Sequence, residues 1–290
     1  MRHRIIQHAG RRYHFAPIPM GGNVLADVID LGTPFLRFER ERHLAYCTID
    51  RPKSRNAFSV GMYYGIKKAV ALVNRLAEPC ALIITGVGDV FAPGGELRGK
   101  NEDHNPQMDF VVGSDVLPFE EIRHSVAPVV SAVNGICQGG GLLVAMLSDV
   151  AVASERATFR APELLRGIAD TGYAAYLPPH VGVANARDLL LSARTIDAPE
   201  ALRMGLVARV VAHEKLLDVA REIAEQILLT APEARMHVKR IINDRYGKPD
   251  RMSMDWSIFR GPEAREGMTA FAEKRSPSWI PEGLRSGKRL

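Results

Sequence analysis

Cysteine is scarce: Cys47, Cys80 and Cys137 are the only three in 290 residues. Their number is odd, they sit in apolar runs and none is spaced as CxxC. Neither a disulfide framework nor a zinc site is therefore indicated, and a reducing compartment fits. Nine histidines occur without an HExxH pair, so no metal site is expected. No apolar run approaches the ~20 residues of a membrane span, and the opening MRHRIIQHAGRRYH has no signal-peptide core. Residues 1–26 carry four arginines and no acid, as an organelle transit peptide would, yet they also lack serine; an irregular extension is the plainer reading. The expectation is a soluble cytoplasmic protein with no membrane partner. No internal repeat or low-complexity tract is present.

Apolar residues make up 46% of the chain and charged residues 24%, the balance of a folded globular enzyme. The length suits one large α/β unit with an appendage. Lys and Arg number 38 against 33 Asp and Glu, a net charge of +5. That modest excess suits a phosphate-bearing small molecule and lacks the dense basic stripe of a nucleic-acid binder.

From Arg37 the pattern becomes regular. HLAYCTID (43–50) reads as a strand, and residues 61–77 as a helix with Met62, Ile66, Ala69, Val70, Val73 and Leu76 on one face. ALIITG (81–86), PVVSAVNG (128–135) and DVAVAS (149–154) read as further strands, and a helix opens at Gly139–Gly141. Strands alternating with helices predict parallel β-structure and an α/β class. Beyond about residue 195 helices take over: an amphipathic stripe at Leu216, Val219, Ala220, Ile223, Ile227 and Leu228 ended by Pro232, a helix over 233–243, and a third opening at Gly261-Pro262-Glu263. The division is an irregular extension over 1–33, an α/β core over 34–195 and a helical region over 196–290.

Four features could carry chemistry. Gly86-x-Gly88 follows a strand but lacks the third glycine of a dinucleotide fingerprint and no helix follows at once. FAPGGELRG (91–99) is either a tight turn or a loop whose glycines bring backbone N–H groups close to a ligand. VNGICQGGGLLVAM (133–146) sets three glycines at a helix start, either for close helix–strand packing or for N–H groups that stabilise negative charge. RAPELLRGIADTG (160–172) places Glu163 after a proline in a segment short of charge, and an exposed turn glutamate reads equally from those residues alone.

Taken in order, these words resemble the crotonase superfamily, the enoyl-CoA hydratase/isomerase family, over roughly residues 34–280. DRPKSRNAFS is similar to its first CoA-contacting loop, FAPGGEL to its F-x-x-G-x-[DE]-L loop, AVNGICQGGGLLVAM to its A-V-N-G-x-x-x-G-G-G segment, FRAPELLRGI to its F-x-x-P-E element, and EAREGMTAFAEKRSPSW to its closing helix. The resemblance implies a ClpP/crotonase-like ββα spiral core with a C-terminal helical oligomerisation layer, a homotrimer or dimer of trimers, and an acyl-CoA thioester as substrate. It implies no cofactor beyond the coenzyme A moiety of that substrate.

By motif, Gly95 and Gly140 would donate backbone N–H groups to a thioester oxyanion, and such a donor is worth about 2.7–4 kcal/mol. Arg55, Ala57, Pro93 and Leu97 would line the CoA path, and Phe271 and Lys274, commonly from a neighbouring subunit, would complete the nucleotide site. Hydratases of the family carry two catalytic glutamates; here the first position is Leu143 and only Glu163 remains. One carboxylate suffices to move a double bond, whereas concerted addition of water has lost half of its acid/base pair. Asp170, in a segment similar to that of dienoyl-CoA isomerases, is a candidate second proton relay. Glu96 replaces the usual loop acid and reads as structural, while Glu120, Glu121 and His124 lie in a stretch where substrate-specific groups can arise. The alternatives are a hydratase or hydrolase with acids from non-standard positions, or a CoA-ester-binding protein without efficient catalysis.

Overall fold

The computed structural model describes residues 5–8, 11–14, 29–96, 113–250, 255–256 and 261–280. Within the segment expected to be irregular, β1 (Ile5–His8) and β2 (Arg11–His14) pair antiparallel, with His8 opposite Arg11.

Among the described residues the core is built from two sheets. The larger contains β3 (Leu36–Glu41), β4 (Leu44–Ile49), β5 (Ala81–Gly86), β7 (Val129–Val133), β9 (Val150–Ser154) and β12 (Arg209–Val211), ordered β12-β9-β7-β5-β4-β3 and parallel except for the β3-β4 hairpin. The smaller contains β6 (Val90–Ala92), β8 (Ile136–Gln138), β10 (Thr158–Arg160) and β11 (Ile196–Asp197), ordered β11-β10-β8-β6. Each of β5, β7 and β9 is followed by a strand of the smaller sheet, so the chain winds as a ββα spiral. The helices of the spiral are α1 (Val60–Arg75), the short α2 (Phe119–Arg123), α3 (Gly140–Leu147) and α4 (Thr171–Ser192).

The corners between the sheets are fastened by asparagines. Asn134 accepts from the Gly86 N–H at 3.1 Å and donates to the Gly88 carbonyl at 2.8 Å. Asn56 donates to the Val90 carbonyl at 2.7 Å and accepts from the Arg51 N–H at 3.0 Å. A Cβ at Gly135, two residues after β7, would collide with the Asp89 backbone, so glycine is required there by main-chain crossing.

Strands β5 and β7 are buried on both faces, as parallel strands between helical layers must be. Leu82, Ile84, Val129 and Val133 point into the main core with the buried face of α1, while Ile83, Val130 and Ala132 face Ala220, Ile223 and Ala224 of α6 (Leu216–Leu228), which follows α5 (Ala198–Met204). Ser59 caps α1 by accepting from the Met62 N–H at 3.1 Å. The amphipathic stripe of α6 stops at Leu228 and is not ended by Pro232. That proline is the first residue of α7 (Pro232–Asn243), where the missing N–H has no helical acceptor to lose. α8 (Pro262–Glu273) closes the described chain but for a short tail, and none of the described helices is long and apolar enough to cross a membrane.

Candidate active site

The loop after β4 contains two consecutive residues with left-handed backbone, Arg55 at φ 50° and Asn56 at φ 61°. Such geometry needs support from its surroundings, and the Asn56 contacts described above supply it. Arg51 adds a second brace. Its buried guanidinium donates to the Ala57 carbonyl at 3.0 Å and to Glu96 Oε2 at 2.9 Å, and lies 4.7 Å from the Phe35 ring centroid. Glu96 thus holds the loop together, as a structural acid should. Lys53, Arg55 and Ala57 are left facing a cavity of about 900 Å³.

The loop after β6 pairs with the same segment. Phe58 donates to the Gly94 carbonyl and accepts from the Glu96 N–H, both at 2.8 Å. In a parallel bridge these bonds flank Gly95 and turn its own N–H to the opposite side. Gly95 and Pro93 line the cavity there. β6 and β8 are parallel neighbours, so the loop after β8 arrives beside this one. Contact is close enough that a Cβ on Gly94 would lie 3.2 Å from the Gly139 Cα, and both residues have positive φ, 103° and 52°.

The three glycines have three different reasons. Gly139 takes the turn. Gly140 opens α3, where its N–H has no intrahelical acceptor, and a Cβ there would collide with the Tyr63 hydroxyl. A Cβ at Gly141 would collide with the Ala92 carbonyl of β6. Gly141→Ala is therefore expected to destabilise the fold by about 1–3 kcal/mol through its clash with backbone, whereas Gly140→Ala meets only the Tyr63 side chain, hydroxyl and ring edge, and is expected to damage the site at least as much as the fold. Thermal melting and activity measured on both variants separate the two.

Glu163 begins a short 3-10 turn, Glu163–Arg166, placed between β10 and α4. A methyl group on Gly139 would sit 3.1 Å from Glu163 Oε1, so the carboxylate lies against the glycine turn. Oε2 is buried with no hydrogen-bond partner among the described residues. Burial, and then the charge of Asp170, push the Glu163 carboxyl up to about 8 from its ordinary 4.5. Asp170 caps α4, with Oδ1 accepting from the N–H groups of Gly172 at 2.9 Å and Tyr173 at 3.3 Å, and burial raises its carboxyl too. Leu143, 1% exposed, shares the cavity wall with both acids.

Further along the cavity Glu120 accepts from the Tyr176 hydroxyl at 2.6 Å and from Arg123 at 2.8 Å, with His124 at 3.3 Å. Burial opposes its charge, but these hydrogen bonds overcome that and hold its carboxyl far below the usual range. Glu121 also lines the cavity; its carboxylate pairs with Lys67 at 3.3 Å.

The chain's own α8 closes one side. Gly167 and Gly267 let the helix and the Glu163–Arg166 turn touch backbone to backbone, and Arg166 lies 5.0 Å from the Phe271 ring centroid. Phe271 lines the cavity of its own chain. Lys274 does not line the cavity. In a continuous helix it would share a face with Phe271, but α8 ends at Glu273 and Lys274 adopts φ 57°. Leu97 lies outside the described residues. Gly95, Gly140, Glu163, Asp170, Arg55, Ala57, Pro93 and Phe271 all meet on this one cavity. Tyr63, Tyr176 and Arg166 join them without having been singled out in the sequence. Tyr63 is adjacent to the apolar stripe of α1, and no local spacing tells where its hydroxyl points.

Comparison with known proteins identifies the family and the fold. The Enoyl-CoA hydratase/isomerase family model matches residues 39–282. A carnitinyl-CoA dehydratase of Citrobacter koseri is 34% identical over 256 residues, covering 84% of this chain and 97% of that protein. The crystal structure of an enoyl-CoA hydratase/isomerase from Pseudoalteromonas atlantica superposes with a TM-score of 0.73 at 29% identity, covering 85% of this chain and all (100%) of that one. A carnitinyl-CoA dehydratase structure from Mycobacterium avium gives a TM-score of 0.71 at 31% identity, with 86% and 100% coverage. With a family match over most of its length and the same fold in its relatives, the chain belongs to the enoyl-CoA hydratase/isomerase family of the crotonase superfamily.

Proposed function

We propose that this enzyme shifts a carbon–carbon double bond in an acyl-CoA thioester, with Glu163 as the carboxylate that removes a proton from one carbon and returns it to another. The observation that carries the reading is Leu143 beside Glu163 on the cavity wall: an apolar side chain stands where a hydratase holds its second glutamate. Starting from a 3-enoyl thioester, Glu163 takes the proton from C2. The electrons move into a dienolate whose oxygen is held by the N–H groups of Gly95 and Gly140. Protonation at C4 by the same carboxyl group then gives the 2-enoyl thioester. Neither water nor a second acid enters the balance.

Lys53 and Arg55 are cations suited to the CoA phosphates, and Ala57, Pro93 and Phe271 complete the path of the coenzyme moiety. No other cofactor is needed. The exposed Val238, Ile241 and Ile242 of α7, each more than half exposed in the single chain, support burial of the C-terminal helices in a trimer or a pair of trimers.

A second reading, loss or addition of water, is favoured by the similarity to proteins named carnitinyl-CoA dehydratases and by Asp170 next to Glu163. One experiment separates them. The protein is given 3-enoyl-CoA and 2-enoyl-CoA thioesters separately in deuterated water, and double-bond position, 3-hydroxyacyl product and deuterium incorporation are followed together. Conversion of the 3-enoyl to the 2-enoyl ester without hydroxyacyl product is the expected result; dominant hydration would overturn the isomerase reading. Binding without reaction or exchange would indicate a non-catalytic CoA-ester protein.

A further inference from the structure

We infer that the Tyr63 hydroxyl is a third hydrogen-bond donor to the thioester oxyanion, completing a hole in which two backbone N–H groups and one phenol converge. The inference rests on the acyl-CoA reading above and adds a catalytic residue to it.

The placement is direct. A Cβ on Gly95 would lie 3.3 Å from the Tyr63 hydroxyl oxygen, and a Cβ on Gly140 would overlap it, so the phenol packs against both residues proposed to supply the N–H donors. Tyr63 lines the cavity. Its ring is held edge-on by Phe58, centroids 4.9 Å apart, and by Phe119 at 6.1 Å. Tyr63 also sits in the first turn of α1, its N–H bonded to the Ser59 carbonyl at 3.2 Å, so the hydroxyl is positioned before a substrate arrives. Among the described residues no group is hydrogen-bonded to that hydroxyl, in contrast to the Tyr173 and Tyr176 hydroxyls, each bonded at 2.6 Å.

Electrostatics agree with the geometry. Burial raises the Tyr63 phenol well above its ordinary value, and the charges of Glu163 and Asp170 raise it further. The phenol therefore stays protonated and serves as a donor; no proton is transferred from it. A donor fixed in a partly dehydrated site strengthens as charge develops on the oxygen it faces, so its contribution appears in the enolate more than in the bound ester.

The test is α-proton exchange of a saturated acyl-CoA ester in deuterated water, which reads enolate formation whatever the later chemistry. It is run on wild type, Tyr63→Phe and Glu163→Gln, with the dissociation constant of the ester measured in each. Tyr63→Phe, which keeps the ring contacts, is expected to slow exchange roughly 10- to 100-fold while ester affinity stays within about twofold. Exchange within about twofold of wild type, or a loss of affinity that accounts for the whole loss of rate, overturns the inference. If Tyr63→Phe does not fold, Tyr63→3,5-difluorotyrosine takes its place: a rate altered by the more acidic phenol supports the donor role, and an unchanged rate overturns it. Failure of the underlying reading looks different. It would appear as wild type that binds the ester and exchanges nothing, or as Glu163→Gln that exchanges at full rate.

Discussion

Glu163→Gln is expected to lose turnover by roughly 100- to 10,000-fold, the range for removal of a general base, and at the same time to raise the melting temperature. Both effects have one cause. The carboxyl is pushed up to about 8 by burial and by Asp170, so the folded protein holds a proton there more tightly than the unfolded chain does. A folded value above the ordinary 4.5 gives a stability contribution fully present below about pH 4.5 and lost as pH climbs to about 8. Above that, wild type carries a buried charge at a cost of a few kcal/mol, and neutral glutamine does not. The Gln variant should accordingly melt several degrees higher than wild type near pH 9, with the gap narrowing toward pH 5.

The same proton sets activity with the opposite sign. The base form grows as pH rises through about 8, so kcat/KM should climb with pH across the window in which stability falls. Calorimetry and exchange rates over one set of buffers test both halves. Full turnover in Glu163→Gln would remove Glu163 from the mechanism, and equal melting curves at alkaline pH would show that its charge is not costly in the folded protein.

The second large effect is expected from Leu143→Glu. Leu143 is 1% exposed, and a methyl group on Gly172 would lie 3.9 Å from its Cδ1, so a glutamate there enters a wall already holding Glu163 and Asp170. Loss of buried apolar packing together with a third crowded carboxyl should lower stability by about 2–5 kcal/mol. The loss should deepen with rising pH, because like charges that share a site resist ionising together. In return the variant carries the pair of acids on which water addition depends and is expected to hydrate a 2-enoyl-CoA ester at least roughly 10-fold faster than wild type. The product assay decides: a folded Leu143→Glu that binds the ester and forms no 3-hydroxyacyl product would show that Leu143 is not what separates this site from a hydratase.

Residues whose neighbours are local were legible in the sequence. Met62, Ile66, Ala69, Val70 and Val73 mark the buried face of α1 by spacing alone, and β5 is a continuous apolar run bounded by glycine. The glycine words and Glu163 could be placed on one site because their order matched a family. What escaped depends on chain crossings. β6, β8 and β10 span three residues each, too short to show a period, so the second sheet could only be expected from resemblance. Tyr63 reads as one more aromatic beside a core stripe until α1 is laid across the two glycine loops. The separation of Phe271 from Lys274 turns on a single left-handed residue at a helix end.

The adjacency of β6 and β8 has a consequence for how such an enzyme diversifies. Gly95 and Gly140, proposed above as the oxyanion donors, lie just after the ends of these neighbouring strands, so the separation of their N–H groups is inherited from the hydrogen-bond ladder and owes little to any side chain. On that proposal, activation of the thioester would be delegated to main chain, and the choice of reaction to the side chains around it. An acid can be exchanged for a leucine, or a tyrosine brought up on α1, while the electrophile remains activated throughout. On the proposed mechanism, the side chains around the two glycine loops could then change the reaction while the main chain went on holding the enolate.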